Sequence, residues 1–136
     1  MLPLNHRVQW SRKNYTIMFG FEKLDVWEKS VDFTDVVYSC TRVSAVDECF
    51  GLMQSIRLAA VSVSTFIADG SSTGSRSSLV RRIEMASDSL QDVIVHSHLA
   101  TSRGFLTAEA LRSICIAAAH QNRLLGHLRR SLPGDV

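Results

Sequence analysis

Several groups of side chains in this 136-residue chain are of types that do chemistry, and the first is a serine. Gly70-Ser71-Ser72-Thr73-Gly74 fits the G-x-S-x-G pattern of a nucleophile elbow, where a strand delivers the serine to a sharp turn above an α/β sheet. A helical pattern precedes it here, so the match reads as a serine-rich loop. A carboxylate-bridged metal pair in a helical bundle needs inward Glu residues and Glu-x-x-His pairs. None of Glu84, Asp88, Asp92 and Glu109 is followed three residues later by histidine. His120 and His127 share a helix face but stand two turns apart, about 10 Å at ~1.5 Å per residue, too far to chelate one ion together. His96 and His98 point to different sides, and Asp92 with His96 is an i,i+4 surface pair rather than an acid–base dyad. Cys40, Cys49 and Cys115 are an odd set without metal-ligand spacing and read as reduced thiols. The expectation is no catalytic residue, no metal, no cofactor and no enzyme activity.

One charge pattern survives this sifting. The last helical stretch carries Arg112, Arg123, Arg129 and Arg130 against Glu109 alone. Arg112, Arg123 and Arg130 fall on one stripe with His120 and His127 beside it, a spacing able to follow the phosphates of a nucleic-acid strand. The alternative is a solvated face whose terminal arginines complement the helix dipole. Arg57, Arg81 and Arg82 are secondary candidates for the same contact. Few aromatics interleave these arginines, so base stacking and sequence-specific reading are not expected.

The elements that must position these residues follow from apolar spacing. A first helix is predicted over 22–44, with Leu24, Trp27, Val31 and Tyr38 on one face and Phe33, Val37 and Cys40 beside them. A second is predicted over 48–69, capped by Asp47, packed through Leu52, Ile56, Ala59, Val63 and Phe66 or Ile67, and ended by Gly70. Ser77 or Ser78 is predicted to cap a third helix, whose seam Leu79, Ile83, Ala86, Leu90, Val93, Ser97, Ala100 steps by four and three until Arg103-Gly104-Phe105 breaks it. Thr107 is predicted to cap a fourth, with Leu111, Ile114, Ala118, Gln121, Leu125, Leu128 and Leu132 as its seam and Pro133-Gly134 as its stop. Four such helices with short loops bury their stripes as an all-α, antiparallel up-down-up-down four-helix bundle over 18–132, one domain with a 133–136 tail.

Composition agrees, with 46% apolar residues, 21% charged and a net charge of +2. Residues 1–17 hold +3 of that charge, and Met18 precedes the first patterned segment, so this extension reads as a misassigned start, with a nucleic-acid-touching arm as the alternative. The sequence lacks the ~18-residue apolar run of a membrane span and the apolar core of a signal peptide, so a cytoplasmic protein with no membrane partner is expected. Between Cys49 and Ala68 the second helix bears one charge, Arg57. That uncharged face, with Val61 and Phe66, and the shoulder of the third helix carrying Val80, Ile94 and His98, predict a homo-oligomer interface.

Phe21-Glu-Lys-Leu-Asp-Val-Trp-Glu-Lys-Ser30 resembles the opening signature of a bacterial family, the 23S ribosomal RNA intervening-sequence proteins, also called four-helix bundle proteins. The likeness continues through Phe50-Gly-Leu-Met-Gln-Ser-Ile-Arg-Leu-Ala-Ala-Val-Ser-Val63, Ile67-Ala-Asp-Gly70, Ala86-Ser-Asp-Ser-Leu90 and Gly104-Phe-Leu-Thr107, spanning about 18–132. The resemblance implies a homopentameric bundle without assigned catalysis. Related bundles serve as accessory subunits of reverse transcriptases in diversity-generating retroelements, where a basic pentamer binds polymerase and nucleic acid. This chain departs from the family pattern at Leu58, where a second arginine is usual, at Ser64 for proline, and at Phe66 for asparagine. It departs again at Ile94, Asp69 and Asp92 for glutamate, the last two keeping the charge. Two functions follow as expectations: a bundle that binds RNA or DNA through backbone contacts, or a protein-interaction adaptor, for example for a reverse transcriptase. Salt separates them, because phosphate contacts weaken steeply with ionic strength.

Overall fold

The computed structural model describes residues 21, 24–43 and 45–132. They form four α-helices and, among the described residues, no strand: α1 Asp25–Cys40, α2 Phe50–Ser71, α3 Arg76–Ser102 and α4 Ala108–Ser131. The all-α expectation holds. The 1–17 extension and the Pro133-Gly134 stop lie outside the described residues.

Each helix packs closely on two neighbours, α1 on α2, α2 on α3, α3 on α4 and α4 back on α1. The cross-contacts give the direction. Tyr38, late in α1, accepts from Arg57, while Thr34, a turn earlier, donates to the carbonyl of Ala60, a turn later in α2. Along α3 and α4, Glu84 shares a groove with Arg130 and Ile94 shares one with Cys115. Progress along one helix is matched by retreat along its neighbour, the antiparallel order that short connections demand.

The seams of α3 and α4 lie where their spacing placed them. Ile83, Ala86, Leu90, Val93, Ser97 and Ala100 are buried from α3, and Ile114, Ala118, Gln121 and Leu125 from α4, while Leu79, Leu111, Leu128 and Leu132 are half-buried at the ends. The first two helices are rotated from the predicted faces. In α1 the buried set is Val26, Ser30, Phe33 and Val37, and Tyr38 is exposed. Ser30 can occupy the core because its hydroxyl donates to the Trp27 carbonyl. In α2 Met53 and Ala60 are buried beside Ile56, Val63 and Ile67, leaving Leu52, Ala59 and Phe66 half-buried. A helix apolar on several faces leaves periodicity little to choose between.

Gln121 is 1% exposed and donates from Nε2 to the Val26 carbonyl at 3.2 Å, tying α4 to α1. Its Oε1 and the Ser97 hydroxyl are buried without a partner. At the helix ends, Thr107 caps α4 by accepting from Ala110 N at 3.0 Å, as predicted. The cap of α3 is Ser75, which accepts from Ser78 N at 3.3 Å, so the helix starts before the predicted Ser77 or Ser78. Cys49 stands at the N-cap of α2 without a side-chain bond, while the Asp47 carbonyl, not its side chain, receives Phe50 N. The α3 exit is a Schellman turn. Phe105 N reaches Ala100 O at 2.8 Å and Gly104 N reaches Thr101 O at 3.0 Å, with Gly104 at φ 79°.

Gly70 does not end α2. The helix runs through it to Ser71, and the glycine is buried because α3 approaches its bare backbone. A Cβ there would lie 2.9 Å from Leu79 Cδ1 and 3.0 Å from Arg82 Cβ. The absent side chain lets the α2–α3 hairpin close.

By length and composition α2 is also apolar enough to cross a membrane, with mean hydropathy 1.4 over its best 18-residue window, contrary to the sequence-based expectation; 28% of that window is buried within the bundle. Serine, threonine and alanine carry the outer surface without charge, which a search for leucine-like runs overlooks.

Gly70→Val should lower unfolding stability by about 2 kcal/mol through overpacking against Arg82. Gly74→Ala, whose Cβ meets nothing within 4 Å, should change it by less than about 1 kcal/mol. Urea unfolding of both variants checks the pair.

Candidate nucleic-acid interface

Because Ile114, Ala118, Gln121 and Leu125 turn one side of α4 into the core, a rotation of about 100° per residue aims Arg112, Arg123 and Arg130 the opposite way. All three are exposed, and they span about 27 Å along the helix axis at ~1.5 Å per residue. Between them on the same stripe stand Ile116, which is 63% exposed, Ala119 and Gly126. The outward register 112, 116, 119, 123, 126, 130 thus alternates guanidinium groups with uncharged positions. The two histidines are exposed on the flank toward α1, and His120 shares a groove there with Lys29 and Asp32.

Arg129 lies on the other flank and looks into a cleft of about 460 Å³ between α3 and α4. Arg123 and Arg130 border the same cleft, with Glu84 and Asp88 opposite them on α3. Ile83 and Leu125 also line it. Arg130 folds back over Gly126, its Nη1 3.2 Å from where a Cβ would sit. Among the described residues no ion pair joins these carboxylates to these arginines.

The secondary arginines are dispersed. Arg57 serves α1: its Nε donates to Thr41 Oγ1 at 2.8 Å, an Nη2 donates to the Tyr38 carbonyl at 3.0 Å, and its guanidinium lies 4.3 Å from the Tyr38 ring centre. It closes the C-terminal end of a helix that has no basic residue of its own in the last turn. Arg82 lies along Gly70, with Nη1 3.7 Å from Met85 Sδ, while Arg81 is exposed on α3. Arg57 and Arg82 thus both make contacts within the bundle.

Of the residues expected at a subunit interface, Val61 is 39% exposed, Val80 is half-buried, and Phe66 and Ile94 pack against the core. Leu58, noted above only as a departure from the family pattern, is 67% exposed on the outward register Gln54, Leu58, Val61, Thr65, Ala68 of α2. Its three-and-four spacing was present in the sequence, in competition with the inner seam. The hydroxyls of Ser55, Ser62 and Thr65 on this side bond to the carbonyls of Gly51, Leu58 and Val61, four residues back. A neighbouring surface would meet a face with few unmet donors.

Among the described residues no three His, Cys, Asp or Glu side chains gather where they could hold a metal ion. Residues 22–127 match the model of the family described as 23S rRNA-intervening sequence protein. The chain belongs to this family. The 23S rRNA-intervening sequence proteins are not known as an enzyme family. Comparison with curated proteins gave no match.

Placed on the bundle, the intervening-sequence family motifs are largely devices of folding. The Phe21 ring meets Trp27 edge-on at 4.8 Å between centroids, Gly70 admits α3, and Gly104-Phe-Leu-Thr107 forms the Schellman turn and the α4 cap. The α4 arginines lie outside those motifs.

Arg57→Ala should cost about 1–3 kcal/mol in chemical denaturation, since it removes two hydrogen bonds and a cation–π contact. Arg112→Ala, an exposed change, should stay within about 0.5 kcal/mol of wild type.

Proposed function

We propose that this protein is a non-enzymatic homo-oligomer that binds RNA or DNA through sugar-phosphate contacts, without strong sequence specificity. The observation that carries the proposal is the outward stripe of Arg112, Arg123 and Arg130 on α4, opposite the core and exposed along most of the helix. Guanidinium groups at such intervals recognise phosphate by charge and paired N–H donors, whatever base is attached. One stripe on a chain of net charge +2 is a weak attractor. Identical stripes in an oligomer reinforce one another's field.

The outer face of α2 supports self-association. Leu58 and Val61 are exposed there and the nearby hydroxyls are satisfied within the helix, so burial against another copy removes apolar surface from water at little polar cost. The family resemblance sets the expected number at five. The same α2 face favours a second reading, an adaptor whose apolar surface docks on a partner protein such as a reverse transcriptase.

Light scattering of the purified protein should give a mass several times that of one chain, and Leu58→Asp with Val61→Asp should reduce it to a single chain. Titration with a structured RNA should show affinity falling steeply with salt. In Arg112→Ala/Arg123→Ala/Arg130→Ala the slope of log affinity against log salt should become shallower by about 2 to 3. An oligomer that binds no RNA at low salt rejects the nucleic-acid reading and leaves the adaptor.

A further inference from the structure

The cleft between α3 and α4 holds charges of both signs that do not neutralise one another. Glu84 and Asp88 stand one turn apart on α3, facing Arg123, Arg129 and Arg130 on α4, and no ion pair spans the gap. Opposite charges that bridge directly leave nothing for a ligand. Here they line an open cleft of about 460 Å³, a volume within the usual range of small-molecule sites, and Ile83 and Leu125 supply apolar lining. Gly126, lacking a side chain, lets the Arg130 guanidinium lie against the helix.

A ligand that satisfies both walls must be anionic at one end and rich in N–H donors at the other. The arginine wall suits a phosphate, and the two carboxylates can only accept. Among nucleotides, guanine alone offers two adjacent donors on its Watson–Crick edge, N1–H and the 2-amino group, to match the two oxygens of a carboxylate. Adenine and cytosine offer one amino group there, and uracil a single ring N–H between carbonyls. Unpaired bases present this edge when a strand is not in a duplex.

We infer that the α3–α4 cleft seats one unpaired guanine nucleotide, its phosphate on Arg123, Arg129 and Arg130 and its Watson–Crick edge on Glu84 and Asp88. This rests on the nucleic-acid reading above and adds to it a base preference at one position, which the α4 stripe alone does not provide. Arg123 and Arg130 would then belong to both surfaces, and Arg129 to the cleft.

The experiment is calorimetric titration of the full-length protein with GMP, IMP and UMP, beside titration with a guanine-free single-stranded RNA. IMP differs from GMP only in lacking the 2-amino group. GMP should bind at least about fivefold more tightly than IMP, the low end of discrimination for a paired contact. Glu84→Ala/Asp88→Ala should erase that difference while UMP and the guanine-free strand bind at least as well as before. Arg129→Ala should weaken all three nucleotides by a similar factor. Equal binding of GMP, IMP and UMP, or a GMP preference that survives in Glu84→Ala/Asp88→Ala, overturns the cleft assignment, and continued binding of the guanine-free strand then leaves the backbone-binding reading standing. A guanine-free strand that fails to bind while GMP retains its carboxylate-dependent preference overturns that reading and leaves the cleft as a mononucleotide site.

Discussion

The close approach of α2 and α3 at Gly70 is the constraint on which the rest of this bundle depends. The two helices are joined by only four residues, 72–75, so their ends must pack almost backbone to backbone. A buried glycine permits it, with Leu79 and Arg82 filling the space a side chain would take. Once that hairpin is closed, the seams of Ile56, Val63 and Ile67 and of Ile83, Ala86 and Leu90 meet at one depth, and α1 and α4 need only cover them. The contact also packs the stem of Arg82 against Gly70.

How much of this was legible in the sequence depended on contrast within each helix. In α3 and α4 charged residues flank the apolar seam, and Ile83 to Ala100 and Ile114 to Leu125 could be read off directly. In α2 nearly every position is apolar or small, so Met53 and Ala60 could not be distinguished from Leu52 and Ala59 without knowing where α3 lies. In α1 a serine at position 30 faces inward and a tyrosine at 38 faces out, because local hydrogen bonding and the Arg57 stacking override polarity rank. Gly70 read as a helix stop, which it is not, and its packing role shows only once the neighbouring helix is in place.

The same contrast applies to the candidate site. The α4 stripe follows from spacing on one helix, so Arg112, Arg123 and Arg130 were found together. The opposition of Glu84 and Asp88 to Arg129 joins residues some forty positions apart, and no pattern along the chain announces it. Arg57 shows the converse: a lone charge on an apolar helix stands out in the sequence, but its tertiary hydrogen bonds to the end of α1 do not. Charge counts locate candidates, and only packing distinguishes a free guanidinium from an employed one.

The uncharged breadth of α2 has a kinetic consequence during synthesis. α2 is complete at Ser71, but the helix that covers its inner face ends at Ser102, so the ribosome must add 31 more residues. At about 5–20 residues per second that takes roughly 2–6 s. Throughout this interval a segment apolar enough to enter a bilayer has only α1 to pack on in its own chain, and the speed at which α3 emerges competes with every other hydrophobic surface the nascent helix meets.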